Sequence, residues 1–230
     1  MRPTGKYFFR NGVIYREAPL TYYVMCYNIA EMVSIREQTT VRQRQIIDAA
    51  RKTIIKYGSE HVTVRRIAEE IGVSEGAIYR HFKSKRDILS LMIDDIENTL
   101  LSDFEFAPLS TPFTLEILGK IMATHMAHVV QRRGVSFQVI AEVVSFGDKK
   151  LNRQVFDVID SYTDRIKDLL SEGVKVGIIK QDVDLKAAAF LFFGMTQGLV
   201  NSWTLSQYNF NLEQEYASLW KLFREAVIRR

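Results

Sequence analysis

One cysteine, Cys26, in 230 residues leaves no internal disulfide framework and no Cys-rich zinc site. Four prolines and twelve glycines, spread along the whole length, leave little for a turn-rich β architecture and favour long helices. No run of about 18 apolar residues occurs, so no transmembrane helix and no membrane partner are expected. An export signal is also lacking, because Arg10, Arg16 and Glu17 interrupt every apolar run near the start. There is no phosphate-cradling glycine loop, no GxSxG elbow, and no cysteine nucleophile outside the N-terminal region. These absences point away from an enzyme and towards a cytoplasmic helical protein with no catalytic residue and no cofactor.

The positive charge that is present is concentrated. Between Val41 and Asp87 stand eleven Lys/Arg against six acids, a local excess of five in a chain whose total is only +4. One short segment thus holds the charge, as expected where a single part of a chain meets phosphates. Residues 1–38 differ from the rest, with scattered aromatics and no helical stripe. They read as a disordered arm, or as translated sequence ahead of a start at Met25 or Met32. A third reading is an arm that touches DNA through Lys6, Arg10 and Arg16.

From Thr40 the periodicity becomes helical. Thr39 or Thr40 caps a first helix whose apolar face is Ile46, Ala50 and Ile54, and Gly58 closes it. Thr63 caps a second helix with the stripe Val64, Ile67, Ala68 and Ile71. Gly72 breaks it, and Ser74 caps a third. Ser84, with Asp87 three residues later, has the spacing of a capping box at the start of a fourth helix reaching about Leu101. Pro108 and Pro112 flank a break. Further helices are expected over Thr114–Arg132, Val135–Phe146, Lys149–Val176, Asp184–Gln207 and Leu212–Arg229. The fold class is therefore all-α: a helix-turn-helix domain over 39–87 and a larger helical domain over 88–230.

Within VRRIAEEIGVSEGAIYRHFK (64–83), Ala68 is the small residue that lets a second helix approach, Gly72 makes the corner, and Ile78 is the apolar anchor. This leaves Ser74, Glu75, Gly76, Tyr79, Arg80 and Lys83 on the outer face of the third helix, narrow enough for a major groove about 12 Å wide. The longer string RQIIDAARKTIIKYGSEHVTVRRIAEEIGVSEGAIYRHFKSKRDIL resembles the DNA-binding domain of the TetR/AcrR family. The match includes the Ala-Ala pair, Gly58, Thr63, Ile-Ala, Gly-Val-Ser, Gly76 with Ile78 and Tyr79, His-Phe and Lys-Ser-Lys. The resemblance implies phosphate contacts from Thr63, Lys85 and the Tyr79–His81 aromatic pair, with Arg65 on the same face. Glu75, Gly76 and Arg80 are the candidates for base reading, Arg80 suiting guanine. For Glu75 a solvated face is the alternative, and for His81 a packing role.

The resemblance further implies that 88–230 binds a small molecule and joins two copies on a pseudo-palindromic operator of double-stranded DNA. AAAFLFFGMTQGLVNSW (187–203) is apolar nearly all round, and Tyr216, Leu219, Trp220, Phe223 and Val227 form a stripe on the last helix. Phe190, Phe193, Gly194, Gln197, Trp203, Trp220 and Phe223 are the expected homodimer contacts, with burial inside one protomer as the alternative. Met122, Met126, Phe137, Ile140, Val144 and Phe156 are the candidates to line an effector site. The stretch 175–203 resembles family members that respond to fatty acyl-CoA or hydrophobic drugs, which implies a small hydrophobic effector. Two other classes stand as alternatives. A metalloenzyme would use His125 and His128, three apart on one helix face, with Glu116 or Glu142; pocket or core histidines fit better, since a second ligand cluster is missing. An architectural DNA binder without an effector would have the same DNA-binding half.

Overall fold

A computed structural model describes residues 7–10, 13–16, 40–105 and 114–229. Lys6, Met25, Cys26, Met32, Thr39, Phe106, Pro108 and Pro112 lie outside the described residues.

The chain divides into two units, 1–45 and 46–230. In the first, β1 (Tyr7–Arg10) and β2 (Val13–Arg16) pair antiparallel, with Phe8 opposite Tyr15 and Phe9 opposite Ile14. Such a pairing is not among the features expected of residues 1–38. YFFR and VIYR are aromatic and β-branched, and the Asn11-Gly12 dipeptide between them in sequence is a strong hairpin signal.

Helix α1 spans residues 40–57. A 3-10 turn (Ser59–His61) follows, then α2 (Val64–Ile71), α3 (Glu75–Tyr79) and α4 (Lys85–Glu105). The larger half comprises α5 (Leu115–Gln131), α6 (Val135–Phe146), α7 (Lys149–Lys175), α8 (Leu185–Leu205) and α9 (Leu212–Val227). Among the described residues of the second unit the only β pairing is one bridge, Ile179 to Ile228. The expected helices stand within two residues at nearly every end, and α4 runs four residues past Leu101. Ser84 and Asp87 do not form the expected box. Asp87 reaches one residue further back, its Oδ2 accepting from the Lys83 N–H at 2.7 Å.

Two apolar cores organise the second unit. The first gathers Ile46, Ala50 and Ile54 of α1, Ile67 and Ala68 of α2, Ile78 of α3, Phe82, and Ile88, Leu89 and Ile93 of α4. It continues without interruption into Val139 and Val143 of α6 and Leu151, Val155 and Val158 of α7. A domain of some fifty residues buries too small a share of its surface to be more than marginal alone. The helix-turn-helix half therefore shares the core of the larger half, and 87/88 is a boundary of sequence pattern that the packing crosses. The second core lies among α5, the later turns of α7, α8 and α9, around Leu118, Met122, Met126, Ile166, Leu170, Phe192 and Phe223.

Candidate nucleic-acid interface and sensing cavity

The turn between α2 and α3 has the geometry its residues require. Gly72 sits at φ 77°, a left-handed conformation that costs a residue with a Cβ about 1–2 kcal/mol, and its N–H bonds the Ala68 carbonyl at 2.9 Å. Ala68 and Ile78 are buried at 2% and 0% exposure, which pins the two helices together. Thr63 Oγ1 accepts from the Arg66 N–H at 3.2 Å, and Ser74 Oγ from the Ala77 N–H at 3.3 Å. In both caps the hydroxyl proton stays available to donate outward, as a phosphate contact needs.

Nine of the ten sequence-derived DNA candidates are exposed: Thr63, Arg65, Ser74, Glu75, Gly76, Tyr79, Arg80, His81 and Lys83. His81 thus stands on the surface rather than between helices. Glu75 and Gly76 lie in the first turn of α3, and nothing comes closer to a Cβ placed on Gly76 than Ser74 Oγ at 4.0 Å, so the backbone there is open to close approach. Arg80 is the C-cap of this short helix. Arg65 is paired along the helix with Glu69 at 3.0 Å. Behind the face, the Arg66 guanidinium lies 4.3 Å from the Tyr57 ring centre.

Lys85 is the exception. Its ammonium bonds Glu142 of α6 at 2.7 Å and faces the carbonyls of Glu60 and Ser59. Burial pushes the Glu142 carboxyl up, but the hydrogen bonds from Lys85 and Ser59 and the Lys85 charge outweigh it and hold the group below its ordinary value. Beside it, Arg86 pairs with Asp148 at 3.0 Å. Asp148 also caps α7, and its bond from the Leu151 N–H is the main cause of its lowered carboxyl. Arg51 of α1 pairs with Asp95 of α4. Of these acids only Glu142 stands out in the sequence, and there as a metal-ligand candidate beside His125 and His128; each is one charge among many on a helical face until packing selects it.

In the sensing half, a cavity of about 20 Å³ lies among α4, α5 and α6. Thr99, His125, His128, Arg132 and Ser136 supply its polar wall, with Leu100, Val129 and Phe137 among the apolar lining. Arg132 donates to Thr99 Oγ1 at 2.8 Å. Of the six effector candidates only Phe137 lines this cavity. Met122 and Met126 are wholly buried in the second core, where the Tyr162 hydroxyl meets Met122 Sδ at 3.3 Å. Ile140 packs on the first core. Val144 and Phe156 are surface residues, exposed at 65% and 53%, since they sit on the outer sides of α6 and α7; this corrects their place in a lining. Arg132 and Thr99 were overlooked, although Arg132 continues the three- and four-residue spacing begun by His125 and His128. Among the described residues no three His, Cys, Asp or Glu side chains converge on a metal position.

The expected dimer contacts divide. Phe190 and Gly194 are exposed on the outer side of α8, and Gln197 is half-buried beside them. Trp203 and Phe223 are instead 6% and 2% exposed in the protomer's own core, and Phe193 and Trp220 pack against that core. The reason is the indole and phenyl network: Trp220 stacks on Phe223, Phe192 meets both edge-on, and Trp203 Nε1 donates to the Phe210 carbonyl.

Comparison with known proteins agrees with this arrangement. Residues 46–92 match the family model described as bacterial regulatory proteins of the tetR family, and residues 110–226 match the C-terminal region of YsiA-like proteins. The fatty acid metabolism regulator protein of Bacillus subtilis is 24% identical over 176 residues, 76% of this chain and 90% of that protein. The transcriptional regulator AcrR of Shigella flexneri is 26% identical over 190 residues, covering 78% and 86%. The crystal structure of FadR from Bacillus subtilis with stearoyl-CoA, 24% identical, superposes with a TM-score of 0.70 over 78% of this chain and 96% of that one. No described helix is long and apolar enough to cross a membrane. With both halves matched, the chain belongs to the TetR family of helix-turn-helix transcription regulators and is not an enzyme.

Proposed function

We propose that the protein is a cytoplasmic homodimeric repressor that reads a pseudo-palindromic operator and leaves it when an apolar, acyl-type effector enters the sensing half. The observation that carries this is the division of labour on α2 and α3. Val64, Ile67, Ala68 and Ile78 on their inner sides are buried, while the side chains suited to phosphates and base edges face outward together. Arg80 reads guanine, Glu75 and Gly76 face adjacent base edges, and Thr63, Tyr79, His81 and Lys83 set the depth on the backbone. A five-residue recognition helix reads few bases, so two copies are needed for a useful site length. The outer ridge of α8, with Phe190, Leu191 and Leu205 exposed and Gly194 and Gly198 open, supplies an apolar surface for the second copy. The acyl class of effector is supported by the relative named for fatty acid metabolism and by the stearoyl-CoA bound to its solved counterpart.

The test is fluorescence anisotropy with duplexes from the protein's own upstream region and from genomic fragment selection, across a salt series, with and without long-chain acyl-CoA. Arg80→Ala is expected to cost about 1–3 kcal/mol and to relax preference at one base pair per half-site. Release by acyl-CoA, with a raised melting temperature, supports the effector class. Selective binding that acyl-CoA leaves unchanged removes it and favours an architectural role. No selective binding in any condition removes the operator reading.

A further inference from the structure

Lys85 opens α4, and the family resemblance gives it a phosphate contact; this inference rests on that contact and on the operator reading. Its ammonium has three protons. Three protein acceptors already surround it: Glu142 Oε1 at 2.7 Å, the Glu60 carbonyl at 3.3 Å and the Ser59 carbonyl at 3.5 Å. Glu142 is held in turn, its second oxygen accepting from Ser59 Oγ at 2.9 Å. The two side chains are only 23% and 14% exposed, so this is an enclosed pair rather than a loose surface one. Every other phosphate or base candidate on this half points to solvent.

We propose that Glu142 is a built-in competitor of DNA phosphate for Lys85, so that operator binding exchanges one anion for the other. The carboxylate and the phosphate are both negative and both need the same protons, so one must leave as the other arrives. The two backbone carbonyls lie on the DNA-binding half itself and can stay with the ammonium in either state. Glu142 lies on α6, in the sensing half. Its position therefore decides how readily Lys85 is surrendered, and any movement of α6 that tightens the pair disfavours DNA. Glu142 acts through Lys85 and is a positioning residue, not a contact to DNA.

Because phosphate contacts are independent of sequence, a mixed-sequence duplex serves as the probe beside the selected operator. Glu142→Gln keeps the shape and one acceptor oxygen and removes the charge. It is expected to bind both duplexes roughly two- to fivefold more tightly, the scale of a partly exposed ion pair. Ser59→Ala, which frees the second Glu142 oxygen at constant charge, should shift affinity the same way by a smaller factor. Lys85→Gln should weaken binding and flatten the slope of log affinity against log salt by about 0.9 per subunit. In the Lys85→Gln background, Glu142→Gln should then have no effect. The proposal is overturned if Glu142→Gln weakens binding, or if it tightens binding equally whether or not Lys85 is present, which is general repulsion from DNA. It is also overturned if Lys85→Gln leaves the salt slope unchanged. Failure of the wild-type protein to bind any duplex would instead remove the operator reading and this exchange with it.

Discussion

A Cβ on Gly119 would stand 3.0 Å from the Trp220 indole, closer than side chains normally approach. The indole has no room to retreat, since it stacks on Phe223 and meets Phe192 at right angles. Gly119→Ala is therefore expected to destabilise by about 1–3 kcal/mol, the usual cost of overpacking, read as a lower urea midpoint with an unchanged slope. Tyr216 makes the opposite case. It is 4% exposed, its hydroxyl has no hydrogen-bond partner among the described residues, and burial pushes its phenol well above the ordinary value. The hydroxyl is thus desolvated without compensation, and Tyr216→Phe should leave the melting temperature unchanged or raise it. A loss above about 1 kcal/mol would mean that the hydroxyl has found a partner in solution. Neither residue stands out in the sequence. A glycine inside a helix and a tyrosine on an apolar stripe look ordinary until a neighbour from a distant element arrives.

At the scale of elements, α6 joins the two halves twice, through Val139 and Val143 in the shared core and through Glu142 on Lys85. The charge pair has a pH signature. The folded Glu142 carboxyl lies below its ordinary value of 4.5, so the native state gains from its ionised form above that pH and loses the gain as pH falls through the folded value. The melting temperature of wild type should accordingly drop relative to that of Glu142→Gln between neutral pH and pH below 4.5. A difference that stays constant over that range would show that the pair does not form in solution. Elements were the most legible part of this chain. Gly72, Thr63 and Ser74 announce their turns because left-handed backbone and free N–H groups each demand a particular chemistry. The β1–β2 hairpin is marked by Asn-Gly between aromatic runs, a signal that carries none of the three- and four-residue spacing of the helices. Trp203 and Phe223 went to the wrong surface for a different reason. Periodicity says that a face is apolar, not whether its cover is the same chain or another.

For the whole molecule, the ridge on α8 is the proposed seat of the second copy that lets the recognition helices read two half-sites. Leu205 and Leu191 are 84% and 56% exposed, and substituting them costs the protomer little packing. Leu191→Asp with Leu205→Asp should leave a folded monomer by sedimentation, with operator affinity reduced to that of one half-site. A dimer that survives this pair would move the interface elsewhere. The cavity adds a consequence of another kind. At about 20 Å³ it has space for roughly one water, so an acyl chain that uses it must wait for α4, α5 and α6 to part. Entry gated in this way has a ceiling. As effector concentration rises, the observed rate stops rising and settles at the rate of opening. Stopped-flow fluorescence from Trp203 and Trp220 would display the plateau, whereas a rate that climbs in proportion to concentration would mean that the door stands open. Under such a ceiling, a pulse of effector shorter than the opening time passes without a response, and only one that outlasts it alters what is transcribed.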